Sequence, residues 1–161
     1  MTLAYVGLGS NLEDPGAQVR RALGELAEIP VTRVTAHSPL YKSPPLGPSD
    51  QPDYINAVAA LDTGLAALEL LAALCDIEQR HGRKRDGVRW GPRSLDLDLL
   101  LYGDVVMDTP ELTLPHPGLP ERAFVLYPLF DVAPQLAVPG RGTVRELREL
   151  ISGAPPVRLD D

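Results

Sequence analysis

Leu95, Leu97, Leu99 and Leu101 alternate with Ser94, Asp96 and Asp98, the two-residue period of a β-strand. Other stretches carry the same signature. Residues 3–8 are apolar and give a first strand, and Gly7, Gly9, Ser10 and Asn11 read as the turn after it. Arg33, Thr35 and His37 alternate with Val34 and Ala36, giving a strand over about 31–41. Residues 55–61 form a third strand, apolar except for Asn56. Two helices separate these runs. Asp14 before Pro15 is a start signal, with Asp as cap and Pro at the first helical position. Val19, Ala22, Leu23 and Leu26 then form a buried face. Residues 65–81 repeat at helical spacing, with Leu68, Leu71, Ala72 and Cys75 as the stripe and Gly82 as the stop. Residues 43–53 hold four of the seventeen prolines and are irregular.

The order β-α-β-β-α-β is the ferredoxin-like arrangement. The fold expected is therefore an α+β sandwich, an antiparallel sheet with helices on one face and C-terminal extensions. Those extensions are a short strand at 105–107, an apolar segment at 123–130 and a short amphipathic helix at 144–151. Residues 153–161 read as a loose tail. Internal repeats are absent from the sequence, and residues 1–161 read as a single domain.

Composition narrows the function. Hydrophobic residues make up 44% and charged residues 23%, as in an ordinary globular protein. The N-terminus lacks a basic-then-apolar signal, and no apolar run reaches the roughly 20 residues of a membrane span. With one cysteine, Cys75, an intrachain disulfide is excluded, and the expected location is the cytoplasm. Fifteen basic against 22 acidic side chains give a net charge of −7, which disfavours nucleic acid as a partner. The charge is uneven, however. Arg83, Lys84, Arg85, Arg89 and Arg93 crowd into residues 81–93 against one acid, Asp86. This basic segment leads straight into the aspartate strand and reads as an anion-binding loop.

Side chains two apart on a strand share a face, about 6.6 Å apart along the chain. Asp96 and Asp98 are thus two acids held together, an arrangement that costs stability unless a cation joins them. A divalent metal or an arginine such as Arg93 would serve. Asn56 is a lone amide in a central strand, suited either to a structural bond or to a paired contact with a flat heterocycle. Tyr54 points to the same face. Glu78 near a helix end is either a boundary carboxylate or a ligand contact. His116 lies in a rigid Leu114-Pro115-His116-Pro117 segment. The histidines His37, His81 and His116 with a single cysteine do not make a zinc pattern. The Gly7-Leu8-Gly9 turn lacks the residues that complete a phosphate loop.

Together these segments resemble the 6-hydroxymethyl-7,8-dihydropterin pyrophosphokinase family of folate biosynthesis. The resemblance is carried by Gly7-Leu8-Gly9-Ser10-Asn11-Leu12, Tyr41-Lys42-Ser43-Pro44-Pro45-Leu46-Gly47 and Gln51-Pro52-Asp53-Tyr54-Ile55-Asn56. It continues through Arg89-Trp90-Gly91-Pro92-Arg93-Ser94-Leu95-Asp96-Leu97-Asp98, Pro115-His116-Pro117, Arg122-Ala123-Phe124-Val125-Leu126 and Pro128-Leu129. It implies transfer of pyrophosphate from ATP to the hydroxymethyl group of 6-hydroxymethyl-7,8-dihydropterin, releasing AMP. It places two magnesium ions at Asp96 and Asp98, with Arg83 and Arg93 beside them in catalysis. The pterin would lie between Tyr54 and Phe124, with Asn56, Ser43, Pro44, Pro45 and Leu46 around its polar edge and Trp90 adjoining. Glu78, Arg83, Arg85, Trp90, Arg93, Thr113, His116 and Arg122 would line the ATP side. Pro117, Gly118, Glu111 and Cys75 depart from side chains found in relatives. The partners implied are ATP and the pterin, with no nucleic acid or membrane, and the chain is expected to be a monomer. Two competing readings are an RNA-binding module of the same strand order and a metal-dependent phosphohydrolase.

Overall fold

Near-continuous apolar runs make Thr2–Ser10 (β1) and Tyr54–Thr63 (β4) the long inner strands of an antiparallel sheet. The computed structural model describes residues 1–12, 14–44, 52–82, 95–152 and 155–159. Between β1 and β4 come the helix Pro15–Leu26 (α1) and the strands Thr32–His37 (β2) and Tyr41–Ser43 (β3). After β4 come Ala67–Arg80 (α2) and Asp96–Tyr102 (β5). A small hairpin follows, Met107–Asp108 (β6) with Thr113–Leu114 (β7), and then Ala123–Val132 (α3). Ala137–Val138 (β8) pairs with Gly142–Thr143 (β9), ahead of Val144–Leu150 (α4) and Val157–Arg158 (β10). The main sheet runs β10-β3-β4-β1-β5, with β2 paired along the second half of β4. The expected ferredoxin-like core is present.

Pairing explains several departures from the sequence reading. The strand expected over 31–41 is two strands, because Ser38 leaves the ladder and its hydroxyl accepts from the Val58 N–H at 3.0 Å. Gly7 and Gly9 do not turn: β1 continues through Ser10, held on both sides by β4 and β5. The tail is not wholly loose, since β10 pairs with β3. The segment at 123–130 is helical despite Pro128 within it.

The sheet buries residues on both faces. On one, Val19, Ala22 and Leu26 of α1 and Leu70, Leu74 and Ile77 of α2 meet Ala4, Val6, Leu8, Ala57, Ala59, Leu97 and Leu99. The stripe of α2 is therefore Ala67, Leu70, Leu74, Ile77 and Glu78. Leu68, expected inside, is 48% exposed. Leucine occurs all round this helix, so two stripes have helical spacing, and docking on the sheet selects one. On the opposite face α3 and α4 cover Tyr5, Val58, Ala60, Leu100 and Leu101. An RNA-binding module of this topology needs that face open and aromatic; here half of it is core.

Asp14 caps α1 as the sequence indicates, its carboxylate accepting from the Ala17 N–H at 3.4 Å. Along α1, Gln18 in the first turn and Glu25 in the last bond the two ring nitrogens of buried His81, the residue that caps α2, with Nε2 2.5 Å from Glu25. The two helices are thereby tied together. Among the described residues no helix is long and apolar enough to cross a membrane.

On the α3 side, the buried Tyr41 hydroxyl donates to Asp131. Burial, then this bond and the nearby carboxylate charge, push the phenol up to about 12 from the usual 10. The unfolded chain therefore loses this proton first as pH rises. Stability from this group is fully present below pH 10 and falls as pH climbs toward about 12. Tyr41→Phe should flatten that alkaline loss, read as the change in urea midpoint with pH; an unchanged slope would show that the bond does not couple to folding.

Candidate active site

The face of β5 that carries Asp96 and Asp98 is set by the strand period. Leu97 and Leu99 point into the core with α1 and α2, which turns both aspartates to the other side. In register, Asp98 stands opposite Gly7 and Asp96 opposite Gly9. Gly9 in turn faces Asn56 on β4, and Asn56 faces Tyr41 on β3. Paired residues project to the same face, so Asp96, Asn56 and Tyr41 lie in one row with a bare glycine between the acid and the amide. Strands lie about 4.8 Å apart, which separates Asp96 from Asn56 by roughly 10 Å. Gly7 and Gly9 are the residues the sequence reading missed. Their signal was present: two glycines at period two, in phase with Tyr5.

Asn56 is buried, and its Oδ1 accepts from the Ser43 hydroxyl at 2.7 Å. That bond fixes which edge of the amide is offered to the groove. Tyr54 pairs with Ser43 and shares this face. Nearby, Asn11 Nδ2 donates to the Pro52 carbonyl at 3.2 Å, joining the end of β1 to the segment before β4. Pro44 follows β3 and is exposed.

Glu78 sits behind the acidic strand. It is 5% exposed, and its Oε2 accepts from the Leu97 N–H at 2.8 Å, between the two aspartates. The carboxylate thus engages the β5 backbone from the core side, behind the strand that carries both aspartates. A buried backbone donor must be paired, and α2 provides the partner.

A β-bulge organises the other flank. Val6 pairs with Leu99 and Tyr5 with Leu101, leaving Leu100 as the extra residue. Leu100 and Leu101 therefore both turn toward α3 and α4, against the simple alternation expected of 95–101. The Leu100 carbonyl accepts from the His116 N–H at 2.9 Å. This bond brings the His116 ring to β5, with Nε2 at 3.9 Å from Asp98 Oδ1. The Gly118 N–H donates to His116 Nδ1 at 3.0 Å, so in the neutral ring the proton sits on Nε2, toward Asp98. Burial lowers the proton affinity of this ring, as does the positive charge of Arg122, while Asp98 opposes them.

Arg122 immediately precedes α3, and its guanidinium carbon lies 5.8 Å from the centre of the Phe124 ring in the first turn. Thr113 lies on β7, whose partner is β6, half-buried beside β5. Thus Asp96, Asp98, His116 and Arg122 are linked through β5 and the loop before α3, and Asn56, Ser43 and Tyr54 lie across the glycines. Pro45, Leu46, Arg83, Arg85, Trp90 and Arg93, with most of the basic segment, lie outside the described residues. Among the described residues no three His, Cys, Asp or Glu side chains cluster as a metal site.

Fold and site define a class: an α+β domain with paired acids and a buried amide on one face of its sheet. Comparison with known proteins supplies the particular family. The sequence model of 7,8-dihydro-6-hydroxymethylpterin-pyrophosphokinase (HPPK) matches residues 5–134. A Pseudomonas aeruginosa 2-amino-4-hydroxy-6-hydroxymethyldihydropteridine pyrophosphokinase is 54% identical over 151 residues, 94% of this chain and 91% of that protein. The Haemophilus influenzae protein of the same name is 43% identical over 160 residues, 99% of each chain. Among solved structures, a Plasmodium falciparum HPPK-DHPS superposes with TM-score 0.72 at 13% identity, over 92% of this chain and 45% of that one. The chain thus spans less than half of that larger protein, and the likeness concerns the fold. The chain belongs to the 7,8-dihydro-6-hydroxymethylpterin-pyrophosphokinase family. It is a pyrophosphokinase, a diphosphotransferase of folate biosynthesis.

Removing the Glu78 carboxylate should leave the Leu97 N–H buried and unpaired. Glu78→Ala is expected to cost about 1–3 kcal/mol, measured by urea unfolding, and Glu78→Gln, which keeps an acceptor, clearly less. Equal losses in the two variants would remove the strand-anchoring role.

Proposed function

We propose that Asp96 and Asp98 hold two magnesium ions with the triphosphate of ATP, while the pterin ring of 6-hydroxymethyl-7,8-dihydropterin lies between Tyr54 and Phe124. The single observation that carries this reading is the row Asp96–Gly9–Asn56, acid and amide on one face with no side chain between. The donors suit magnesium, which takes hard oxygen ligands. Asp98 has a side chain 45% exposed, so the pair is open to an ion. When bound, the metal neutralises phosphate oxygens and draws electrons from the attacked phosphorus.

The chain's own residues do the positioning on which phosphoryl chemistry depends. Asn56, held by Ser43, presents its amide to the polar edge of the ring, with the segment of Pro44, Pro45 and Leu46 beside it. His116 offers the Nε2 proton to a phosphate oxygen as a neutral donor. Arg122, together with Arg83, Arg85 and Arg93, supplies planar guanidinium forks that match phosphate geometry. Trp90, Thr113 and Glu78 complete the nucleotide side, and Glu78 also fixes β5 from behind. In the reaction, the hydroxymethyl oxygen bonds to the β-phosphorus of ATP. The bond from that phosphorus to the α,β-bridging oxygen breaks, AMP leaves with the electron pair, and the hydroxyl proton passes to solvent. We further propose that the chain acts as a monomer in the cytoplasm.

Incubation with ATP, magnesium and the pterin should yield AMP and pterin diphosphate, with no AMP when pterin is omitted. Phosphate release from ATP without pterin would instead indicate the phosphohydrolase. Asp98→Ala should slow transfer by roughly a hundredfold or more, since a metal contact stabilises the transition state by several kcal/mol. Its thermal midpoint should hold, because the substitution relieves repulsion with Asp96. Turnover near the parent rate would remove the metal assignment.

A further inference from the structure

Gly118 is the residue at which two site side chains meet. Its N–H holds His116 Nδ1 at 3.0 Å. A Cβ built on it would fall 2.5 Å from Arg122 Nε, 2.6 Å from Cζ and 3.0 Å from Nη2. The guanidinium therefore rests directly against the Gly118 backbone, in space that any side chain would occupy. The glycine is not there for its backbone: φ −82° and ψ −11° are open to every residue. Nor does it relieve pressure on a rigid wall, since the atoms it admits are the far end of a flexible side chain.

We infer that Gly118 is a positioning residue for ATP: its missing side chain seats the Arg122 guanidinium beside His116 and over Phe124, while its N–H orients the His116 ring. This inference rests on the reading of Arg122 as a nucleotide-side residue. One backbone position thus sets two phosphate donors at once, one through a bond and one through an absence.

The test is a double-mutant cycle with Gly118→Ala and Arg122→Ala, following KM for ATP, kcat and thermal midpoint. In Gly118→Ala the backbone keeps its conformation and its N–H, so only Arg122 must move. KM for ATP should rise about tenfold, the order expected when one charge-assisted hydrogen bond is lost. The KM for pterin and the thermal midpoint should stay at parent values, a split that a general loosening of the fold would not produce. In the Arg122→Ala background the same Gly118→Ala change should add nothing, because its target is gone. If Arg122→Ala raises KM for ATP and Gly118→Ala does not, the positioning role falls while the reading of Arg122 stands. An unchanged KM in Arg122→Ala would instead remove Arg122 from the nucleotide side. An equal Gly118→Ala effect in both backgrounds would show that the glycine acts by another route, and would also overturn the inference.

Discussion

Keeping two carboxylates side by side on one strand face is the constraint around which this structure is arranged. Like charges at neighbouring positions repel. A flexible strand would relieve the strain by twisting or slipping in register, which would send the acids to opposite faces. β5 does not slip because its leucines are committed: Leu97 and Leu99 are buried against α1 and α2. The backbone between the acids is pinned as well, by Glu78 on the Leu97 N–H. That anchor is itself a carboxylate. Three acids therefore surround one short strand, two open to the groove and one closed behind it. Their combined field favours cations at this face, in an acidic chain that carries five of its fifteen basic residues within 81–93.

The bulge at Leu100 converts a simple strand into two parts with different tasks. Before it, β5 presents aspartates to the groove; after it, the same face receives Leu100 and Leu101, which α3 and α4 cover. A regular strand would turn Leu101 to the α1 and α2 side and leave only Leu100 for α3 and α4. The bulged carbonyl also docks the His116 N–H. One extra residue thus closes the core, brings the loop before α3 to the site and points the His116 ring at Asp98. Bulges near functional sites commonly re-aim side chains in this way.

Local rules were enough to read some of this from the sequence. The strand period placed Asp96 and Asp98 on one face, Asp14 and Pro15 marked the start of α1, and the βαββαβ order identified the central sheet. What was hidden depends on partners distant in sequence. Gly7 and Gly9 look like a turn because glycine breaks strands; only pairing with β4 on one side and β5 on the other keeps them extended. The α2 stripe was ambiguous because leucines occupy two faces, and docking decided between them. The bulge leaves no mark in a run of leucines, since Leu99, Leu100 and Leu101 are apolar on either face. The role of Gly118 is invisible for another reason: it lies in the space that Arg122, four residues later, folds back to fill.

On the proposed reading, the bare centre of β1 is what lets one sheet face serve two unlike chemistries. Ring recognition needs a fixed amide in a dry setting, which Asn56 has through burial and Ser43. Phosphate chemistry needs solvated acids and mobile cations, which the edge strand β5 can offer and an inner strand cannot. Placing these on adjacent strands would force the amide against the carboxylates. Placing them two strands apart with a side chain between would fill the groove. A Cβ at Gly9 would already press on Asn56 Nδ2 at 2.9 Å, so the spacer has to be glycine. The strand between amide and acid therefore contributes backbone hydrogen bonds and nothing else to the groove, and the width that remains is set by strand spacing alone.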